Sequence, residues 1–295
     1  MPEGDTVFRT ARRLHQVFAG QPLSEAELRW GEASGACLVG ARTIDVVSRG
    51  KHLLHRCEGG WTLHSHLRMD GSWRILPTKE AGPRPRDAHT VRAVLATSSW
   101  TALGVRLGML DLVRTSAEDS LVGHLGPDVL GPDWDAELAL SHVLADPARP
   151  LGSALLDQRN LAGVGTMYAA ETLFLQRLHP WSPVGDLPTS AISAAIARAH
   201  RLLHANVAHA VQSTTGSRRR GEEVYVHARS GLPCRRCGAQ VRVAMIGLPP
   251  QQRTMFYCPR CQGGLAPGDE GGAQRPLGSS RGGSRRGGAY EGRRR

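Results

Sequence analysis

Lysine is almost absent from this 295-residue chain: of its 37 Lys and Arg residues, only Lys51 and Lys79 are lysines. A guanidinium cannot give up its proton at any ordinary pH and an ammonium can, so each retained lysine is a candidate for chemistry. Also missing is any apolar run of the roughly 18 residues that a membrane-spanning helix needs. The opening MPEGDTVFRT has no apolar core of the signal-peptide kind. A soluble cytoplasmic protein without membrane association is therefore the expectation. Acid is in short supply, with 26 Asp and Glu against 37 basic residues, and the formal charge of +11 predicts a polyanionic partner. Cysteine is scarce too. Four of the six sit in two Cys-x2-Cys pairs, which reads as metal ligation and not as a disulfide framework. Cys37 and Cys57 are left over and read as buried small apolar residues.

The length suits about two domains. From Asp5 to Gly20 the apolar Val7, Ala11, Leu14 and Phe18 recur at three and four, predicting an amphipathic helix with Asp5 as its cap. From about Ala36 to Val113 the period becomes two: Leu63, Ser65, Leu67 and Met69 alternate with His64, His66 and Arg68. An antiparallel sandwich or barrel fits, with Ala81 to Asp87 as a loop. The repeated Gly-Pro-Asp of Leu125 to Asp135 reads as the connection between domains. Helical spacing follows: Leu151 to Gln158, a Gly-bearing turn, Met167 to Arg177, then a long helix from about Thr189 to Val211. Residues 263–295 hold 11 Gly and 7 Arg with almost no large apolar side chain, which predicts a disordered tail. The expected division is 1–115, 116–220, 221–262 and the tail 263–295.

Cys234-Arg-Arg-Cys237 and Cys258-Pro-Arg-Cys261, separated by 20 residues, have the spacing of a four-cysteine zinc hairpin. Four thiolates leave no open coordination position, so one structural Zn2+ per chain is expected. Arg235, Arg236, Arg242, Arg253 and Arg260 on the same hairpin suggest a nucleic-acid contact, with a solvated basic face as the alternative.

At the other end, Pro2 is small enough for Met1 to be removed, exposing a secondary amine beside the Glu3 carboxyl. An α-amino group has a pKa near 8, so a useful fraction is neutral and nucleophilic at physiological pH. Such an amine can attack the anomeric carbon of a sugar, and Glu3 could supply a proton to the ring oxygen or leaving group.

Together, MPEGDTV, SRGKHLL around Lys51, GPDVLGP, LLDQRNLAGVGTMYAAE and the paired GLPCRRCG and QQRTMFYCPRCQ resemble the formamidopyrimidine-DNA glycosylase and endonuclease VIII family of base-excision repair enzymes. The resemblance covers nearly all of residues 1–262. The MPEG start and GPDVL lean toward the endonuclease VIII branch. The family implies an α+β fold: an N-terminal β-sandwich with a flanking helix, a helix-two-turn-helix domain and a zinc hairpin that grips damaged DNA. It further implies a DNA glycosylase and abasic-site lyase that removes an oxidised base, of pyrimidine type, and completes β,δ-elimination. Pro2 would be the Schiff-base nucleophile, Glu3 the general acid, Lys51 the essential lysine, and Arg253 the hairpin arginine on the phosphates. No nucleotide cofactor is implied, and a monomer is the family expectation.

Further DNA contacts implied by the resemblance are Arg68 and Met69, which would fill the gap left by a flipped base, although a core methionine also fits that spacing. His124 stands in place of a phosphate-binding arginine, and Thr166 in place of an asparagine in GVGT, where the amides of the helix N-terminus also favour an anion. Thr6 replaces the usual glutamate of the first helix, which counts against purine lesions. In GVRLGMLD only Arg106 survives of an Arg-Arg-Phe wedge, with Leu107 at the aromatic position. These departures leave a second reading open, a damage-binding protein with weakened turnover on the same scaffold.

Overall fold

The structure, a computed structural model, describes residues 2–33, 35, 37–82 and 88–275. The expected loop from Ala81 to Asp87 therefore lies outside it except for its first two residues, and so does the tail beyond 275.

Helix α1 (Gly4–Phe18) buries Val7, Ala11, Leu14 and Phe18, the stripe that the spacing predicts. Its cap is Glu3, in extended conformation, and not Asp5. Asp5 lies two residues past the cap, is buried within the first turn, and accepts a hydrogen bond from Gln212 Nε2 at 2.7 Å.

Two four-stranded antiparallel sheets follow. One runs β2 (Thr43–Arg49), β3 (His52–Cys57), β4 (Trp61–His66), β8 (Met109–Arg114); the other runs β1 (Glu25–Leu28), β6 (Val91–Ala96), β7 (Trp100–Val105), β5 (Ser72–Pro77). Between α1 and the sheets lies a core that includes Phe18, Leu53, Leu63, Leu95 and Leu110. Along β4, where Leu63 and Ser65 alternate with His64, all three residues are buried. Val122 and Leu125, which follow the sandwich, pack with Leu54 and Ala162 into a small cluster between the two halves of the molecule.

The second half holds α2 (Asp119–Val122), α3 (Ala136–Leu144), α4 (Leu151–Leu156), α5 (Thr166–Gln176) and α6 (Thr189–Asn206). The last helix stops five residues before Val211 because Asn206 turns the chain: its side chain donates to Leu202 O and Ser213 O and accepts from Ser213 N. Every residue of α5 from Thr166 to Phe174 is buried, and side chains such as Leu173 and Phe174 each contribute about 1.5–3 kcal/mol of burial. The hairpin of β9 (Arg242–Ile246) and β10 (Arg253–Tyr257), closed by α7 (Pro259–Gln262), shares this core through Val241, Ile246, Met255 and Phe256. Helices and hairpin thus make one hydrophobic unit.

Three expectations need correction. Cys37 is exposed, whereas Cys57 is buried. Leu125 to Asp135 is more than a linker, since Val129 is fully buried and donates to Ala162 O. The tail does not begin at 263. Asp269 forms an ion pair with Arg242 and accepts from the Tyr257 hydroxyl at 2.7 Å, while Gln274 bonds both Gln240 and Val243. Polar bonds hold residues 263–275 against β9 where apolar burial could not.

Candidate active site

Two Gly-bearing turns meet where the two halves of the molecule touch. One joins β2 to β3 at Gly50-Lys51. Gly50 has φ +57°, and a Cβ there would meet Ala162 Cβ at 3.0 Å, so the sandwich can approach the helical half this closely only with glycine. Its amide donates to Asp128 Oδ2 at 2.8 Å, and Leu130 N donates to Asp128 Oδ1 at 3.0 Å. Asp128, part of the presumed linker, therefore pins the lysine turn from the opposite domain. Sequence reading missed it because Gly-Pro-Asp reads equally well as a breaker; the signal available was that the tripeptide carries an acid.

The second turn, Ala162 to Gly165, opens α5. Glu3 is completely buried against it and accepts from Gly165 N at 2.8 Å, Met167 N at 2.8 Å and Tyr168 N at 3.4 Å. A Cβ on Gly165 would lie 2.4–2.7 Å from the Glu3 carboxyl group, so this seat exists only because residue 165 is glycine. The amides that sequence reading offers to a DNA phosphate are thus occupied by the protein's own carboxylate. Thr166, the first residue of the helix, is 6% exposed.

Lys51 Nζ donates to Val164 O at 2.7 Å, one residue from the Glu3 seat. Burial raises the Glu3 carboxyl above the usual carboxylate range, against the charge of Lys51 and the amides of Met167 and Gly165, and Asp5 adds to the rise. Burial likewise lowers Lys51 below the ordinary lysine range, opposed by Glu3 and reinforced by Arg253. Each group is displaced toward its neutral form, the carboxyl holding its proton more firmly and the ammonium less. Pro2, half-buried, immediately precedes Glu3. Pro2, Glu3 and Lys51 are brought together, and the charge of Arg253 reaches Lys51 from the hairpin. Arg253 is exposed at the start of β10 and donates to Gln251 O and Gln252 O.

The softer candidates divide. Met69 is 64% exposed, which removes it from the core. Arg68 and Arg106 both have positive φ, 53° and 49°, an uncommon conformation for residues with side chains. With Met69 and Arg92 they border a recess of about 390 Å³. Leu107 is wholly buried in the sandwich core, so it does not stand out as a wedge. His124 is exposed, its ring 6.3 Å from that of His52.

Sequence reading also missed Glu171. This buried carboxylate accepts from Tyr225, Val226 and His227 amides at 2.7–2.8 Å and from the Thr214 hydroxyl, fixing the connector after α6 to α5. The connector then supplies Gln212 to Asp5 beside the amino terminus.

The four hairpin cysteines have sulfurs within 4.8 Å of one another, and among the described residues no other group of His, Cys, Asp or Glu is so placed. Cys234 and Cys261 sulfurs are 4.0 Å apart, those of Cys237 and Cys258 3.5 Å. A tetrahedral zinc with bonds near 2.3 Å requires sulfurs about 3.8 Å apart, so the donors fit. Of the hairpin arginines, Arg242 is committed to Asp269, and Arg236 lies over the Phe174 ring at 4.2 Å; these two hold structure and are not a free basic face.

Comparison with known proteins agrees along the chain. Residues 1–126 match the formamidopyrimidine-DNA glycosylase N-terminal domain and residues 125–218 the H2TH domain of the same glycosylase. A probable endonuclease 8 of Streptomyces coelicolor is 49% identical, over 90% of this chain and 96% of its own. A DNA-(apurinic or apyrimidinic site) lyase of Mycolicibacterium smegmatis is 41% identical, over 89% and 99%. Among solved structures, the MutM (Fpg) protein of Thermus thermophilus superimposes with a TM-score of 0.72 at 31% identity, over 90% of this chain and all of that one.

Proposed function

Because this chain belongs to the formamidopyrimidine-DNA glycosylase and endonuclease VIII family, we propose that it acts on damaged DNA as a glycosylase and abasic-site lyase working through Pro2. The observation that carries this reading is the seat of Glu3, a buried carboxyl on the amides of α5 with Lys51 anchored one residue away.

With Met1 removed, the Pro2 secondary amine attacks C1′ of the flipped nucleotide. The Glu3 carboxyl, kept protonated to higher pH by burial, gives its proton to the sugar ring oxygen, which opens the ring. The Pro2 nitrogen gives up its proton, the base leaves with a proton taken up in its place, and an iminium joins Pro2 to C1′. That iminium withdraws electrons from C2′, a proton leaves there, and the 3′ phosphate is eliminated; a second elimination releases the 5′ phosphate. Lys51, losing its proton more readily than an ordinary lysine, serves the proton transfers. Arg253, exposed and close enough for its charge to affect Lys51, binds the phosphates flanking the lesion. Zinc on Cys234, Cys237, Cys258 and Cys261 would hold the hairpin that carries Arg253 and supply no reactive position.

Thr6 lies where a glutamate would assist purine lesions, and its hydroxyl is 3.4 Å from Gln212 Nε2. Oxidised pyrimidines are accordingly the substrates. Two assays test this. Borohydride reduction on an abasic-site duplex should trap a covalent adduct that is lost in Pro2→Glu, whose large second residue keeps Met1 in place and moves the free amine off this position. A lesion panel should favour dihydrouracil and thymine glycol; preference for 8-oxoguanine opposite cytosine would overturn the choice of lesion and leave the lyase chemistry standing.

A further inference from the structure

Beside Lys51 lies a chain of ionisable groups that the reaction above does not use. Asp111 on β8 faces His64 on β4, and its Oδ2 is 2.8 Å from His64 Nδ1. His64 Nε2 is 2.9 Å from His52 Nδ1 on β3. Around His52 stand the rings of His66 at 5.0 Å and His124 at 6.3 Å. No metal reading competes, since among the described residues only the four cysteines are spaced to hold an ion.

Hydrogen-bond logic fixes the protons of neutral rings in this chain. A carboxylate can only accept, so His64 donates from Nδ1 and must accept at Nε2. His52 therefore donates from Nδ1 and keeps a lone pair on Nε2. His66 differs. Its Nδ1 accepts from Arg68 N at 2.9 Å, so its Nε2 carries hydrogen and can donate at once. Of the two half-buried rings, His52 is the one that must gain a proton before it can donate through Nε2, and gaining it breaks neither bond in the chain.

We propose that His52, backed by His64 and Asp111, is a proton-accepting ligand for a backbone phosphate of bound DNA, charging as the DNA docks. This rests on the reading that the chain acts on damaged DNA. In the free protein, burial and the neighbouring His66, His64, His124 and Lys51 hold His52 down to about 3, and burial with Arg68, Lys51 and His64 holds His66 to about 4. Arg49, opposite His52 on β2, is engaged by Asp133 at 3.1 Å. The groups that lower His52 are all positive or titrate to positive; the carboxylates nearby are Asp111, at the far end of the chain, and Asp133, which is paired with Arg49. A phosphate reverses that balance and makes the extra proton favourable. Asp111 is a positioning residue: without its carboxylate His64 can adopt the other tautomer, donate to His52, and leave His52 Nδ1 without its hydrogen.

The test is calorimetry of the full chain binding a duplex with a tetrahydrofuran abasic-site analogue, in buffers of different ionisation enthalpy at fixed salt, from pH 8 to 5.5. Binding enthalpy should vary with buffer, reporting proton uptake that grows as pH falls, with affinity rising by up to about tenfold per pH unit for each proton taken up. His52→Gln should reduce the uptake, as should Asp111→Asn, with circular dichroism confirming that both variants fold. Nitrogen chemical shifts of the wild-type histidines supply a measurement free of mutation: His52 should pass from one protonated nitrogen to two on adding DNA. DNA binding with buffer-independent enthalpy, or uptake unchanged in both variants, overturns the proposal and leaves the active-site reading intact. Failure of the wild type to bind the duplex overturns both.

Discussion

Gly165→Ala is the smallest change that should disable the site. The added methyl carbon would stand 2.4 Å from Glu3 Cδ and 2.6 and 2.7 Å from its two oxygens. Carbon atoms in contact prefer about 3.5–4.0 Å, so the carboxyl group must retreat by roughly 1 Å or more. It cannot do so and keep its bonds to Gly165, Met167 and Tyr168, which meet it from the same helix end. Hydrogen bonds between neutral groups contribute about 0.5–1.5 kcal/mol each, so losing two costs about 1–3 kcal/mol of local stability. A misplacement of this size in a proton donor is worth about 100-fold in rate. Single-turnover cleavage of an abasic-site duplex should therefore slow by about two orders of magnitude, with a lower melting temperature and a weaker borohydride adduct. A variant with wild-type rate and melting temperature would refute the claim that the α5 amides position Glu3.

Asp128→Ala strips two buried amides of their acceptor, at about 1–3 kcal/mol each, and frees the Lys51 turn; activity should fall although Asp128 touches no substrate, which comparison of rate and thermal stability with Asp128→Asn will check. The alkaline limb of the lyase pH profile should lie below the ordinary lysine range, because Lys51 is lowered and Glu3, although raised, also loses its proton as pH climbs; a limb unchanged in Lys51→Arg would argue against Lys51 as its source. Asp269, drawn down to about 2 by Arg242, stabilises the 263–275 segment above about pH 4 and releases it as pH falls through 2; amide exchange at Gln274 across that range, with Asp269→Asn as control, follows the release. Truncation after Arg275 removes six Arg and one Glu, so the slope of log affinity against log salt should flatten while turnover persists; truncation after Gln262 should also lower the melting temperature, because Arg242 loses Asp269.

Periodicity made α1 legible, and cysteine spacing made the metal cluster legible, because both are local patterns with one dominant solution. Pro2, Glu3 and Lys51 could be singled out from residue chemistry and motif resemblance. What stayed hidden depends on packing across the two halves. Alternation along β4 cannot reveal that Val122, Leu125 and Ala162 pack against Leu54 on the neighbouring strand, nor that His64 is linked to Asp111. Asp128 and Glu171 are single acids that each bind an amide far away in sequence, Gly50 for Asp128 and Val226 for Glu171. Residues 263–275 are poor in apolar area, and composition cannot register that one carboxylate, Asp269, satisfies a buried arginine and a tyrosine.

The central claim, that the amine of Pro2 is the nucleophile, is tested most directly by peptide mapping of the borohydride-trapped adduct. Digestion and mass spectrometry of the complex with an abasic-site duplex should find the reduced sugar on the amino-terminal peptide, bonded to the Pro2 nitrogen, and no modification at Lys51. An adduct on Lys51, or full trapping in Pro2→Glu with the modification elsewhere, would contradict the account.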